Sequence, residues 1–319
     1  MSDLRVVYLS GGVGGARLLE GLARALPAAS LTAIVNIGDD FEHLGLSICP
    51  DIDTVLYTLS GLADLKRGWG LSDETFRALE LVGRYGGESW FQLGDMDLGT
   101  HLMRTQLLSE GHSLTDITQR FARALDVGCS VLPMSNDRLR TRIQTAQEGT
   151  LSFQDWLVRR RGVPQVVGVT FEGTARPTPE VLDALACADL VIIGPSNPYV
   201  SIDPILSMPE VTSAIAKRKV VAVSPIVGGR AVKGPLAGMI PTLAKRSASA
   251  GAVAAHYGSL LSGMVVELGD EQSVQGVPVL GTATIMRTAD DRLRLGQAVL
   301  QFADQLARTP RGSEARDAG

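Results

Sequence analysis

Arg5-Val-Val-Tyr-Leu-Ser10-Gly-Gly-Val-Gly-Gly-Ala-Arg17-Leu-Leu-Glu20 is the stretch whose reading decides the fold. Arg5–Leu9 is an apolar, β-rich run of strand length, and Ala16–Ala25 has the pattern of a helix. Between them stand Gly11, Gly12, Gly14 and Gly15. A strand that turns through glycines straight into a helix is the opening unit of a doubly wound sheet, where helix N–H groups approach an anion. No Gly-Lys-Ser/Thr follows, so this is not a P-loop. Nor is it a full dinucleotide fingerprint, because Arg17 stands where the third glycine belongs. A tight turn that needs small residues would account for the glycines without a ligand. Four of them at this position favour contact with phosphate or ribose.

Outward from that unit, short apolar runs alternate with helical patterns. Leu31–Ile37, Val166–Phe171, Leu190–Ile193, Val220–Ser224 and Met264–Glu267 read as further strands, mostly hydrophobic on both faces as in a parallel sheet. Pro179–Ala186, Pro209–Lys217, Leu236–Lys245 and Asp290–Arg308 read as helices. The alternation predicts an α/β fold, a doubly wound, mostly parallel, Rossmann-like sheet. Residues 62–157 read differently, with helices expected at Ser72–Tyr85, Asp97–Glu110 and Leu114–Leu125. The expected organisation is a Rossmann-like α/β core from 1–61 and 158–308, a mainly helical insertion at 62–157 covering one end of the sheet, and a fraying tail at 309–319.

Composition narrows the function classes. Thirty Lys and Arg against 34 Asp and Glu leave a net charge of −4, the wrong field for a nucleic-acid backbone. Aromatic residues make up 5% of the chain, which argues against base-stacking platforms. Cys49, Cys129 and Cys187 are odd in number and far apart, so neither a disulfide framework nor a zinc knuckle is expected. No signal peptide and no membrane span is read; a soluble cytoplasmic protein, forming a homodimer, is expected. The 35 glycines among 319 residues exceed the usual ~7% and point to loops that approach a ligand closely.

Four carboxylates cluster after the second strand, in Asn36-Ile-Gly-Asp39-Asp40 and Cys49-Pro-Asp51-Ile-Asp53-Thr54. They lie near a strand's C-terminal end, the edge where open α/β sheets bind ligands. Hard oxygen donors of this kind suit Mg²⁺. Asp51 or Asp53 would also serve as the N-cap of the helix that follows. In Trp90-Phe-Gln92-Leu-Gly-Asp95-Met96-Asp97-Leu-Gly-Thr-His101 the two aspartates suit a helix N-terminus, and His101 has no nucleophile paired with it. Two further turns follow strands: Gly194-Pro-Ser196-Asn197-Pro198 and Ser224-Pro225-Ile-Val-Gly228-Gly229. Three such turns on one sheet edge make a binding cleft.

As a set, SGGVGGARLL, VNIGDD, CPDIDTVLYTL, WFQLGDMDLGTHL, VLPMSND, GPSNP and AVSPIVGG resemble the 2-phospho-L-lactate transferase family of deazaflavin coenzyme F(420) biosynthesis. The resemblance runs from about Leu4 to Leu306. It implies transfer of a phosphorylated three-carbon acid (2-phospho-L-lactate, phosphoenolpyruvate or 3-phosphoglycerate) from its guanosine diphosphate conjugate to 7,8-didemethyl-8-hydroxy-5-deazariboflavin, with release of GMP. It further implies Mg²⁺ on Asp39 and Asp53, the deazaflavin facing Asp53 and Gln92 under the 62–157 insertion, and the guanosine donor on the core loops Gly11–Gly15, Gly194–Pro198 and Ser224–Gly229. Asn36, Asp95 and Asp97 join the substrate-binding set. Asp40 or Asp51 would take the hydroxyl proton. Relatives often carry basic residues where Gln92 and Met96 stand. A nucleotide-sugar-binding regulatory protein of the same fold and a Rossmann dehydrogenase are the rival readings.

Overall fold

The computed structural model describes residues 4–232 and 234–308; the tail expected to fray lies outside the described residues. The decisive stretch folds as a strand turning into a helix, but the helix starts at Gly12 instead of Ala16, so Gly12, Gly14 and Gly15 lie in its first turn. Val6–Ser10 (β1) is buried along its whole length and runs directly into Gly12–Ala25 (α1). The strands that follow are Leu31–Val35 (β2), Phe41–His43 (β3), Leu46–Ile48 (β4), Ser130–Pro133 (β5), Arg140–Thr145 (β6), Gly149–Ser152 (β7) and Val166–Glu172 (β8). After these come Leu190–Ile193 (β9), Lys219–Val223 (β10), Ile226–Val227 (β11), Arg230–Ala231 (β12), Gly263–Val266 (β13) and Val279–Gly281 (β14). The remaining helices are Pro50–Leu59 (α2), Arg77–Arg84 (α3), Asp97–Ser109 (α4), Leu114–Ala124 (α5), Pro179–Cys187 (α6), Asp203–Leu206 (α7), Pro209–Ile215 (α8), Leu236–Leu243 (α9), Ala250–Tyr257 (α10) and Ala289–Arg308 (α11).

Seven strands form the main sheet in the order β14-β13-β10-β9-β1-β2-β5, all parallel. The chain steps outward from β1 to β2 and β5 on one side, then returns to β9 and steps outward on the other. The reversal falls between β1 and β9, so the loops leaving those two strands diverge and leave a crevice at their C-terminal ends. Nearly every residue of β1, β9, β10 and β13 is buried, as a sheet covered on both faces requires. Helix α1 packs on α2 and α11. Gly21 and Gly296 sit at the α1–α11 crossing, where a methyl on Gly21 would run into the backbone carbonyl of Arg292.

Two expectations need correction. Val166–Phe171 is a strand, but β8 belongs to a separate antiparallel sheet, β7-β6-β8, not to the parallel one. Its residues are mostly half-exposed or exposed, which a central parallel strand would not allow. Residues 62–157 do carry α3, α4 and α5, yet they also supply β5, which pairs with β2 at the edge of the main sheet (Ile34 opposite Leu132), and β6 and β7. In β5, Ser130 and Pro133 leave only two apolar residues between them, whereas the equally short β9 is an unbroken apolar run that shows in the sequence.

Candidate active site

A cavity of about 460 Å³ occupies the crevice at the reversal point. One wall is the sheet edge: Gly11, Gly12 and Gly14 after β1, Pro195, Ser196 and Asn197 after β9, and Ser224 and Pro225 after β10. Asp39, Asp51 and Thr54 line its floor, and Trp69, Phe91, Gln92, Phe153 and Leu157 close it from the opposite side. Mostly apolar walls with a few convergent polar groups are what a small-molecule site presents.

The glycines of the first loop are required by protein as much as by any ligand. A methyl on Gly14 would come 2.7 Å from the Pro195 carbonyl oxygen, and one on Gly15 would meet the hydroxyls of Ser10 and Ser196 at 2.5 Å. Small residues therefore let the β1 and β9 loops touch each other. Ser196 Oγ donates to the Gly11 carbonyl at 2.8 Å and closes that contact. Gly15 is buried and lies outside the cavity lining, with its carbonyl accepting from the Tyr8 hydroxyl. Gly228 and Gly229, both at positive φ, form the two-residue turn between β11 and β12. That conformation suits a tight hairpin, and Gly228 does not line the cavity.

Asp51 and Asp53 sit inside the first turn of α2, and Cys49 holds the cap position, so neither acts as N-cap. Asp51 Oδ1 accepts the Gly12 N–H at 2.7 Å and Oδ2 accepts Asn36 Nδ2 at 2.8 Å. Asn36 is a clamp: its amide also donates to the Val200 carbonyl and accepts the Gly38 N–H. Asp39 lines the cavity, and its Oδ1 is buried with no hydrogen-bond partner among the described residues. Burial, then the charges of Asp51 and Asp40, push the Asp39 carboxyl well above the ordinary range. Burial pushes Asp51 up to about 6, against the hydrogen bonds from Asn36 and Gly12. Burial likewise raises Asp40 to about 8, with Arg140 opposing the rise. Of the two carboxylates considered for the hydroxyl proton, Asp51 lines this cavity and Asp40 does not.

Asp53 lies elsewhere. Both its oxygens are held by the buried guanidinium of Arg104 on α4, and it is absent from the cavity lining. Asp97 accepts from the Tyr57 hydroxyl at 2.6 Å, and His101 Nε2 approaches its other oxygen at 3.2 Å. His101 thus belongs to a buried network that ties α4 to α2. Asp95 accepts from Thr75 Oγ1 and from the N–H groups of Arg77 and Ala78, which caps the start of α3 away from the cavity. Asn197 accepts the Tyr199 N–H, and Pro198 begins the helical turn beyond it.

Sequence reasoning missed several lining residues. Arg17 reaches the cavity from the second turn of α1. Its Nε is buried without a hydrogen-bond partner among the described residues, and Nη1 makes a long contact of 3.5 Å to the Met286 carbonyl. Its signal was present: a lone cation in a glycine loop where a dinucleotide site would have glycine. Trp69, Phe153 and Leu157 had no local signature, because distant segments deliver them to the cleft.

The family model for 2-phospho-L-lactate transferase CofD matches residues 6–276. A protein named phosphoenolpyruvate transferase from Streptomyces avermitilis is 41% identical over 321 residues, covering 96% of this chain and 100% of that one. One of the same name from Streptomyces griseus is 39% identical, covering 95% and 99%, and one from Thermobifida fusca is 40% identical, covering 95% and 99%. Among solved structures, a UPF0052-family protein from Bacillus halodurans superposes with a TM-score of 0.63 at 18% identity, over 93% of this chain and 99% of that one. At that identity the likeness speaks for the fold alone.

Proposed function

Because the chain belongs to the 2-phospho-L-lactate transferase CofD family, a family of transferases working in coenzyme F(420) biosynthesis, we propose that it moves enolpyruvyl phosphate from a guanosine diphosphate conjugate to 7,8-didemethyl-8-hydroxy-5-deazariboflavin, releasing GMP. The choice of enolpyruvyl rests on the relatives named phosphoenolpyruvate transferase at 39–41% identity. The observation that carries the reading is the convergence of Asp39 and Asp51 on the start of α1 in one cavity. An anion site at a helix N-terminus with two carboxylates beside it accepts a diphosphate only when a cation reconciles the charges.

The donor's diphosphate runs along the first turn of α1. Gly12 N–H is already engaged by Asp51, while the next N–H groups of that turn have no intrahelical acceptor. Arg17, with its unpartnered buried Nε, adds a fixed positive charge. Trp69, Phe91 and Leu157 offer the apolar wall a deazaflavin ring needs. Little covalent chemistry is asked of the protein, so positioning and charge neutralisation dominate.

The residues present fit Mg²⁺, because Asp39 offers a buried oxygen with no protein partner next to the Asp51 carboxylate. These two would hold the ion; Asp53, with Arg104 on both oxygens, is a positioning residue for α2 instead. When bound, Mg²⁺ would offset the charge that develops on the leaving GMP. The test is mass spectrometry of products when the enzyme receives the deazariboflavin with each of the three guanosine conjugates and Mg²⁺. A product carrying enolpyruvyl phosphate is expected, and no product from any donor would sink the transferase reading. Asp39→Asn should lower turnover at least ~100-fold with the thermal transition unchanged or raised.

A further inference from the structure

A second cavity, of about 250 Å³, opens off the cleft and shares Asp39, Phe153 and Gln154 with it. Its lining is of another kind. Arg140 and Arg142 on β6 and Arg138 just before them face the Asp39–Glu42 segment. Arg142 is engaged, its Nε donating to Glu172 at 2.5 Å. Arg140 is anchored through Nη1 to the carbonyls of Ile37 and Leu139, and its Nε and Nη2 make no hydrogen bond among the described residues. The Arg138 guanidinium makes neither a hydrogen bond nor a close ion pair among them. Thr141, between Arg140 and Arg142 on β6, is only 1% exposed, and its hydroxyl lies over Gly38 on the strand's other face.

We propose that this cavity receives the carboxylate of the three-carbon acid carried by the donor, with Arg138 and Arg140 donating to it. The assignment rests on the transferase reading above and names what it leaves open, the place of the acid. In the donor, the acid hangs from the reacting phosphate on the side away from guanosine. With that phosphate beside Asp39 and Asp51, the acid points where the two cavities join. A planar guanidinium matches a carboxylate in shape and charge. Asp40 and Glu42 on the opposite wall disfavour a second negative group, which restricts the site to one small carboxylate.

The experiment compares the enolpyruvyl guanosine conjugate with GDP, which lacks the acid, by calorimetry on the full chain with Mg²⁺. Arg138→Gln should weaken the conjugate about tenfold, the order of one charge-assisted hydrogen bond, and leave GDP unchanged. Arg138 is exposed, so its variant folds even where an Arg140 variant does not. Equal loss for conjugate and GDP, or no loss for either, would overturn the subsite while the wild type still made product. A wild type that bound neither compound would remove the transferase reading, and the subsite with it.

Discussion

Asp53 and Arg104 are almost wholly buried and paired with each other, with His101 against the guanidinium. Removing one partner strands the other charge in the interior. Arg104→Met should therefore cost about 3–5 kcal/mol, whereas Asp53→Leu combined with Arg104→Met should recover most of it. Urea denaturation of the three chains decides this, and a single variant within 1 kcal/mol of wild type, roughly the scatter of surface changes, would refute it. His43 makes a different prediction. Its ring packs edge-on against Trp90 at 5.2 Å, and burial lowers its pKa, with Glu88 opposing. The unfolded chain then takes up the proton more readily than the folded one. Stability from this group is present above about pH 6.5 and is lost as pH falls below that toward the lowered folded value. Wild type should lose more of its thermal stability between pH 7.5 and 5 than His43→Phe does. Single residues were partly legible in the sequence: Asp39 and Asp51 were found by type and place. The partner of Asp53 was not, since Arg104 stands 51 positions away and nothing local joins them.

At the scale of elements, glycine separates contact from freedom. Gly21→Ala pushes a methyl into the α11 backbone and should cost about 1–3 kcal/mol by overpacking. Gly99 in α4 has nothing within 4 Å of the place a methyl would take, so Gly99→Ala should stabilise by about 0.5–1 kcal/mol. Chemical denaturation of both variants tests the pair, and a shared sign would contradict the packing account. Helices and buried parallel strands showed in the sequence because their periods and apolar runs are local. The partner of a strand is not local, which is why the apolar run of β8 suggests the wrong sheet. β5 and β14 escaped because neither is a sustained apolar run: Ser130 and Pro133 flank just two apolar residues in one, and the other has three residues ending in glycine.

Over the whole molecule, the cleft lies between the sheet edge and the segment bearing Trp69, Phe91 and Leu157, so a ligand there bridges parts of the chain far apart in sequence. A ligand that binds only the folded state stabilises by mass action. GDP with Mg²⁺ at about a hundred times its Kd should add about 2.7 kcal/mol to the unfolding free energy, seen as a raised thermal midpoint. An unmoved midpoint would mean that the nucleotide does not bind here. Among the described residues no helix is long and apolar enough to cross a membrane. The sequence alone was enough for the βα opening, the doubly wound class, the family and the loops that meet at the reversal point, because strand period, glycine turns and motif order are written in consecutive residues. Tertiary structure decided which carboxylates line the cleft and which is locked to arginine, that the glycines at the start of α1 serve contact with the β9 loop, and that an arginine-lined cavity adjoins Asp39. These depend on distances between segments dozens of residues apart, and such distances exist only once the sheet has brought the segments together.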